Sequence, residues 1–192
     1  ARLGSGSASR SVFGGFVRWK KGKRKDGNDS YSVQIAKKKH WNEIVDVIVI
    51  VDARKKRISS KEGMERTARS SKLMKKRLRE VKKRISGIVR AIRKKDFEKF
   101  AKITMEDSDS MHEAAAGAHP PVIYMNKISH KIANEVKKLN EKKIIAGYTF
   151  DAGPNAHIIT LRRHAPKVRK MLGKIKGVKK IIISGIGNGI RN

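Results

Sequence analysis

The sequence predicts an α+β fold in which helices pack on one face of an antiparallel sheet. Two features support this prediction: apolar β-branched runs lie toward both ends of the chain, and helical segments follow one another in the middle. Strands that flank consecutive helices are typical of this class. With 192 residues and 38% hydrophobic content, the chain is large enough to form a sizeable core.

The first strands form a predicted β-hairpin. Residues 12–19 have strand character, residues 31–36 are the predicted partner, and the basic segment between them contains Asp26-Gly27, a turn signal. The β-branched run at residues 44–52 is nearly continuous, which predicts a central strand buried on both faces.

The helical half begins with a predicted cap at Ser59 and Ser60, because serine followed by an acid favours a helix start. Apolar residues then recur at alternating steps of four and three, the pattern of one face of a long helix. This face, which we expect to pack in the core, consists of Met74, Leu78, Val81, Ile85, Ile88 and Ile92. The remaining predicted elements are helices at 96–116, 125–143 and 166–172 and strands at 144–150, 156–161 and 178–184.

The charge of the chain is its most unusual property. It contains 48 Lys and Arg against 17 Asp and Glu, a formal net charge of +31. Such a field favours polyanionic partners, and the acids that would form surface ion-pair networks are missing. A basic stripe on the long helix is either a solvated surface or a contact with RNA or DNA; it consists of Lys76, Arg79, Lys83, Arg90 and Lys94.

Other features of the composition narrow the cellular setting. The chain has no cysteine, which removes disulfides, thiolate nucleophiles and cysteine metal sites. No apolar run approaches the roughly 20 residues that span a bilayer, and the N-terminus lacks a signal-peptide pattern. We therefore expect a cytoplasmic protein with no membrane partner. Because the chain begins at Ala1 inside a loop of functional character, we expect its natural start to be missing.

One carboxylate, Asp151, lies in a setting suited to chemistry. It stands in the segment Asp-Ala-Gly-Pro-Asn-Ala, directly after an apolar run, so a rigid Gly-Pro turn holds it. Asp and Asn also favour turns through local hydrogen bonds, so turn formation accounts for Asp151 and Asn155 as well.

The loop at residues 1–11 is a second candidate site. Its small residues let the backbone approach a ligand, and Arg10 offers a planar fork suited to carboxylate or phosphate. Its hydroxyls belong to Ser5, Ser7, Ser9 and Ser11. Ser-Gly stretches are also common as plain turns, and helix capping explains Ser59 and Ser60. The six histidines lack the spacing of metal ligands, so we interpret them as ordinary residues and predict no metal site.

Five groups of residues occur together in a distinctive order. They are ARLGSGSASRSVFGGFVRW at 1–19, ISSKEGM at 58–64, the serine and histidine at Ser110 and His112, PPVIYMNKIS at 120–129, and YTFDAGPNA at 148–156. In order and approximate spacing, and over most of the chain, they resemble the diphosphomevalonate decarboxylases of the GHMP kinase superfamily, with the archaeal branch nearest.

The resemblance implies a GHMP-kinase C-terminal-type domain at residues 41–192, with residues 1–40 as a remnant of the N-terminal domain. It implies a reaction that uses ATP and Mg²⁺: the tertiary hydroxyl of mevalonate diphosphate is phosphorylated, and phosphate and carbon dioxide then leave to give isopentenyl diphosphate. Asp151 matches the catalytic aspartate near that hydroxyl, and Arg10 matches the arginine that holds the substrate carboxylate. The implied substrate-binding residues are Ser5, Ser7, Ser59, Ser60 and Asn155.

The chain departs from the family pattern in three ways. It lacks the Tyr-Trp-Gly-Lys substrate segment and the ATP phosphate loop, so we expect the ATP site to lie mostly outside it. Residues 114–119 replace a stretch that commonly includes an acid and an aromatic residue, and the chain is far more basic than the family. The alternative prediction is a decarboxylase-like domain that binds RNA or the ribosome without catalysis. A homodimer is a further expectation.

Overall fold

The computed structural model describes residues 8–52 and 58–190. The chain forms two compact units, Ala1–Ile44 with Gly185–Asn192, and Val45–Ser184.

The first unit contains the predicted β-hairpin. Its elements are α1 (Ala8–Ser11), β1 (Phe16–Trp19), β2 (Ser32–Ala36) and a 3₁₀ helix (Lys38–His40). The two strands pair antiparallel with Trp19 opposite Ser32, which confirms the hairpin. Part of the predicted N-terminal loop is instead a helical turn, because the Phe13 backbone N–H donates to the Arg10 carbonyl and closes it.

The second unit carries the larger sheet. Its elements in chain order are β3 (Ile44–Ile50), α2 (Ser60–Ser70), α3 (Lys72–Lys94), α4 (Phe97–Ala116), α5 (Lys127–Leu139), β4 (Ala146–Phe150), β5 (Ala156–Leu161), a 3₁₀ helix (Arg162–His164), α6 (Ala165–Gly173) and β6 (Lys180–Gly185). The strand order is β4-β5-β3-β6. Strands β4 and β5 pair antiparallel, from Ala146 opposite Thr160 to Phe150 opposite Ala156.

Helices cover one face of this sheet, which confirms the predicted fold class. Helices α4 and α5 pack on β4, α6 packs on β5, and α3 packs on α4. The covered face supplies the main core, whose members include Val47, Val49, Tyr148, Phe150 and Ile158. Each of these side chains is almost fully buried. They come from β3, β4 and β5, so the core lies between these strands and the helices that cover them.

The burial of β3 differs from its prediction. The sequence predicts burial on both faces, and this is wrong: Val45, Val47 and Val49 are buried, whereas Asp46 and Ile48 are half-buried. The alternation arises because helices cover a single face of this sheet, as is common in antiparallel sheets. An apolar β-branched run does not reveal how many of its faces are covered.

The helical half agrees with the sequence at its start. The Ser59 hydroxyl accepts the Glu62 backbone N–H at 3.1 Å and so caps α2 as predicted. The predicted apolar face of α3 is less buried than expected, since Ile92 is the one buried member of its six residues and Leu78 is 57% exposed. Helix α4 is the main neighbour of α3 and covers only part of that face.

Helix α5 ends at Leu139, before the predicted end at residue 143. The Asn140 side chain explains the difference: its Oδ1 accepts the backbone N–H groups of Ile145 and Ala146 at 3.0 and 3.2 Å. These bonds turn the chain out of the helix and into β4.

None of the described helices has the length and apolar character to cross a membrane.

Candidate active site at the Asp151 turn

The turn that carries Asp151 joins β4 to β5 and is held from three sides. Within the turn, the Gly153 N–H donates to the Asp151 carbonyl at 2.7 Å. From α5, the Ser129 hydroxyl donates to the Pro154 carbonyl at 2.8 Å. From the end of β3, the backbone N–H groups of residues 51 and 52 donate to Asn155 Oδ1 at 2.9 and 3.1 Å. The carboxylate is therefore displayed on a fixed support.

The Asn155 side chain holds this turn in place. Its Oδ1 already accepts two backbone hydrogen bonds, so its Nδ2 donor group is what remains for a ligand. Ser129 has a similar part, because it also completes a capping box with Asn126 at the start of α5. The sequence pattern singled out Asn155, whereas Ser129 stood at the end of the motif at 120–129 without an assigned role.

Asp151 itself is exposed and lies directly after Phe150, the last residue of β4. Side chains alternate along a strand, so Asp151 shares a face with Thr149, which pairs with His157 on β5. Diagonal neighbours on one face of an antiparallel pair lie within reach of long side chains. Asp151 and His157 are therefore electrostatic neighbours.

His157 forms an ion pair with Asp46, at 2.7 Å between Nδ1 and Oδ2. This hydrogen bond raises the pKa of His157; partial burial opposes the change, and the charges of Asp46 and Asp151 add to it. The second carboxylate oxygen of Asp46, Oδ1, is buried and has no hydrogen-bond partner among the described residues. The pair places the His157 imidazole beside the candidate carboxylate.

His112 lies on the helix side of the same turn and titrates in the opposite sense. Burial lowers its pKa, although the Phe150 carbonyl, at 3.2 Å from Nε2, and the charges of Asp109 and Asp151 oppose the change. A neutral ring can donate its Nε2–H to that carbonyl. Its ring also meets Tyr124 and Phe150 edge to face, with centroids 6.1 Å apart in both cases.

A cavity of about 380 Å³ opens beside His112, between α4, α5 and β4. Its lining includes Asp109, His112, Tyr124, His130, Lys137 and Tyr148. The Tyr148 hydroxyl donates to Asp109 Oδ2 at 2.8 Å, and burial together with this contact raises the pKa of Tyr148. The residues of this cavity come from four segments of the chain, which are α4, the loop before α5, α5 and β4.

The other predicted site residues are distributed over the chain. Arg10 lies in α1 of the first unit and its side chain is exposed, whereas Asp151 belongs to the second unit. Ser59 and Ser60 are at the start of α2. Ser5 and Ser7 lie outside the described residues. Their roles at the site stay predictions.

The described residues contain no group of three His, Asp or Glu side chains that could hold a metal ion. Mg²⁺ commonly binds through one or two carboxylates, several waters and the phosphates of a nucleotide.

The helix-covered antiparallel sheet of this chain has a GHMP-kinase C-terminal-type fold, as its family match and its structural neighbours indicate. Residues 46–189 match the mevalonate 5-diphosphate decarboxylase C-terminal domain, and residues 1–32 match the diphosphomevalonate decarboxylase-like N-terminal domain. The chain belongs to the diphosphomevalonate decarboxylase family.

Individual relatives agree with this assignment. The diphosphomevalonate decarboxylase of Candida albicans is 41% identical over 207 residues, which cover 98% of this chain and 57% of the relative. The X-ray structure of a mevalonate 5-diphosphate decarboxylase superposes with a TM-score of 0.90 at 34% identity, covering 98% of this chain and 59% of the other. MDDEF in complex with MVAPP, AMPPCP and magnesium gives a TM-score of 0.89 at 30% identity, with coverage of 98% and 57%.

The chain spans about half the length of the curated relatives that it matches. The archaeal character, the domain boundary between residues 40 and 41, the homodimer and the cytoplasmic location stay predictions.

Proposed function

We propose that the full-length protein containing this chain catalyses the ATP-dependent decarboxylation of mevalonate diphosphate to isopentenyl diphosphate. Membership of the decarboxylase family supports this proposal. The observation that carries it is the Asp151 carboxylate, which stands on a turn tied to both α5 and β3. Reacting groups need a fixed geometry, and a carboxylate on a mobile loop would not meet that need.

In the proposed mechanism, Asp151 orients the tertiary hydroxyl of the substrate and accepts its proton as the oxygen attacks phosphorus. ATP supplies the phosphoryl group, which turns a poor hydroxide leaving group into phosphate. Loss of that phosphate breaks the C–O bond, and the electrons of the bond to the carboxylate form the new alkene as carbon dioxide departs. The balanced products are ADP, phosphate, carbon dioxide and isopentenyl diphosphate.

Other residues of the chain serve to bind the substrate in this proposal. The Arg10 guanidinium pairs with the substrate carboxylate, because a planar fork matches a carboxylate in two hydrogen bonds. Hydroxyls at Ser5, Ser7, Ser59 and Ser60 contact the diphosphate or line the site. Asn155 contributes its Nδ2 group and keeps the turn in place through Oδ1.

His157 affects the proposed reaction indirectly. Its imidazole, paired with Asp46, is an electrostatic neighbour of the Asp151 carboxylate. A deprotonated Asp151 is the form that can accept the hydroxyl proton. His157 is therefore a positioning and electrostatic residue rather than a catalytic one.

An assay of carbon dioxide release by the full-length protein tests the proposal. Asp151→Asn keeps the side-chain size and removes the base, so we expect at least about a hundredfold loss of kcat. Arg10→Lys keeps the charge and loses the fork, so we expect it mainly to raise KM for mevalonate diphosphate. Equal activity of wild type and Asp151→Asn would refute the assignment of Asp151.

A further inference from the structure

Two helices packed against each other in the second unit carry opposite charge. The 23 residues of α3 include eleven lysines and arginines and a single acid, Glu80. Helix α4, its main neighbour, contains five acids and two lysines. The proposed decarboxylation involves none of the cations on α3. It therefore does not explain why this helix carries so many of them.

Two sets among the eleven cations of α3 differ in their surroundings. Arg77 and Arg84 have side chains only 15% and 18% exposed. Arg77 holds Asp107 in a two-pronged contact with both N···O distances at 2.9 Å, and Arg84 binds Glu80 at 2.6 Å. Two acids beside these arginines, Glu80 and Asp107, are thus engaged in ion pairs.

The second group is the basic stripe, defined as Lys76, Arg79, Lys83, Arg90 and Lys94. All five are exposed, and none forms an ion pair with another residue in the described part of the chain. At 100° per residue their spacing confines them to a sector of roughly 60° of the helix surface, and at 1.5 Å per residue the stripe is roughly 27 Å long. The geometry is a straight row of cations without ion pairs in the described part of the chain, although Lys76 lines a cavity together with Glu80, Glu106 and Glu113.

We propose that the basic stripe of α3 binds the sugar-phosphate backbone of a nucleic acid. A straight row of cations matches a linear polyanion, whose charges recur at short and regular intervals. The net charge of +31 adds long-range attraction to the same class of partner. Contacts of this kind are made to phosphates and carry no sequence preference.

An anionic membrane is a poorer partner for this surface. Helices that lie in a membrane interface insert an apolar face among the lipids. On α3 the apolar residues lie on the side away from the basic stripe, where Ile92 is buried and Ile88 half-buried against other parts of the unit. Leu78 is exposed, but helical geometry places it on that apolar side as well.

The test measures binding of the full-length protein to labelled RNA and DNA duplexes of mixed sequence, without ATP or substrate. Five phosphate contacts predict a slope of roughly −4.5 for log K against log salt, so affinity should fall steeply between about 50 and about 200 mM salt. Comparison of the RNA and DNA duplexes shows which nucleic acid supplies the phosphates. Because no turnover is involved, the result does not depend on the decarboxylase proposal.

Two variants of equal charge localise the surface. One changes the five residues of the basic stripe to Gln. The control changes five exposed cations elsewhere in the same unit to Gln: Lys142, Lys167, Arg169, Lys170 and Lys174. We expect the stripe variant to bind at least about tenfold more weakly with a slope near zero, and the control to retain most of the wild-type slope.

Three results would overturn the proposal. These are the same loss of affinity in both variants, the absence of salt-dependent binding to either duplex, and binding to phosphatidylserine vesicles without binding to nucleic acid. Equal losses would mean that net charge acts from the whole surface, and vesicle binding would identify a membrane contact instead.

Discussion

The Asp151 turn and the basic stripe of α3 hold their charges in contrasting ways. At the turn, hydrogen bonds from two other elements engage the backbone and the Asn155 side chain, so one carboxylate has a defined position. Along α3, five exposed cations form no ion pair with a described acid. The difference teaches that chemistry at a single atom requires a fixed support, whereas attraction of an extended polyanion requires number and alignment.

The largest expected effect breaks the support of the turn. Asn155→Ala leaves two backbone N–H groups at the end of β3 without their acceptor, and we expect it to lower the free energy of unfolding by about 2–4 kcal/mol. Urea unfolding measures the loss. Asn155→Asp keeps an oxygen in the accepting position and should cost clearly less. Equal losses in the two variants would contradict the assigned role of Oδ1.

The next effect concerns the strand that leads into the turn. A Cβ added to Gly147 would lie 2.9 Å from the Ala101 Cα and Cβ atoms of α4, so Gly147→Ala should destabilise the protein by about 1–3 kcal/mol. A Cβ added to Gly173 would meet no other heavy atom within 4 Å, and Gly173→Ala serves as the matched control with little change. Thermal unfolding of both variants distinguishes close packing from a general effect of added methyl groups.

A smaller effect depends on pH and separates the two histidines near the turn. Because the pKa of His157 is raised above 6.5, its pairing with Asp46 stabilises the fold below about pH 6.5 and this contribution disappears as pH rises through the folded-state pKa. Both side chains are about one-third exposed, at 33% and 28%, so we expect less than about 1 kcal/mol. His157→Asn should therefore lose stability relative to wild type in mild acid and approach it at high pH.

His112 should show the opposite sign. Its pKa is lowered from 6.5, so the folded state disfavours its charged form and stability falls as pH decreases below the unfolded-state value. His112→Asn removes that loss and should become relatively more stable in mild acid. Urea unfolding of both variants between about pH 5 and about pH 8 measures the two slopes. Slopes of the same sign would contradict the assigned environments.

The smallest expected effect on stability belongs to the basic stripe. Exposed positions without partners usually change the free energy of unfolding by no more than about 0.5 kcal/mol each. Changing Lys76 and Lys83 to Gln should therefore leave urea unfolding almost unchanged, or stabilise the fold slightly by relieving repulsion. A decrease of more than about 2 kcal/mol in the free energy of unfolding would show that these lysines stabilise the fold. The basic stripe would then not differ from the turn in this respect.

Local pattern was enough to predict much of the fold. The hairpin, the Ser59 cap, α4 and the β4–β5 pair all follow from turn signals and periodicity that act over a few residues. The failures share a cause, since burial of β3 on both faces and burial of the full α3 apolar face depend on neighbours far away in the chain. Periodicity shows which residues share a face and does not show what covers it.

In the candidate site, too, the local features could be predicted from the sequence and the long-range contacts could not. Asp151 and Asn155 stood out because Asp, Gly, Pro and Asn form a recognisable turn, and the family motif added Arg10 and the serines. The Asp46–His157 pair, whose members are 111 residues apart, and the Ser129 contact carry no local signature. His112 occurred within the motif, but its buried setting depends on Phe150 and Tyr124.

By itself, the sequence determined the family, the order of most helices and strands, the excess of positive charge and the turn that bears Asp151. Each of these features depends on the composition or on residues that are close together in the chain. The tertiary structure alone decided which face of the sheet is covered, which side chains anchor the turn, and how the two histidines near it titrate. Those outcomes depend on burial and on charges brought close by folding, because desolvation and short-range hydrogen bonds act between groups that the sequence keeps far apart.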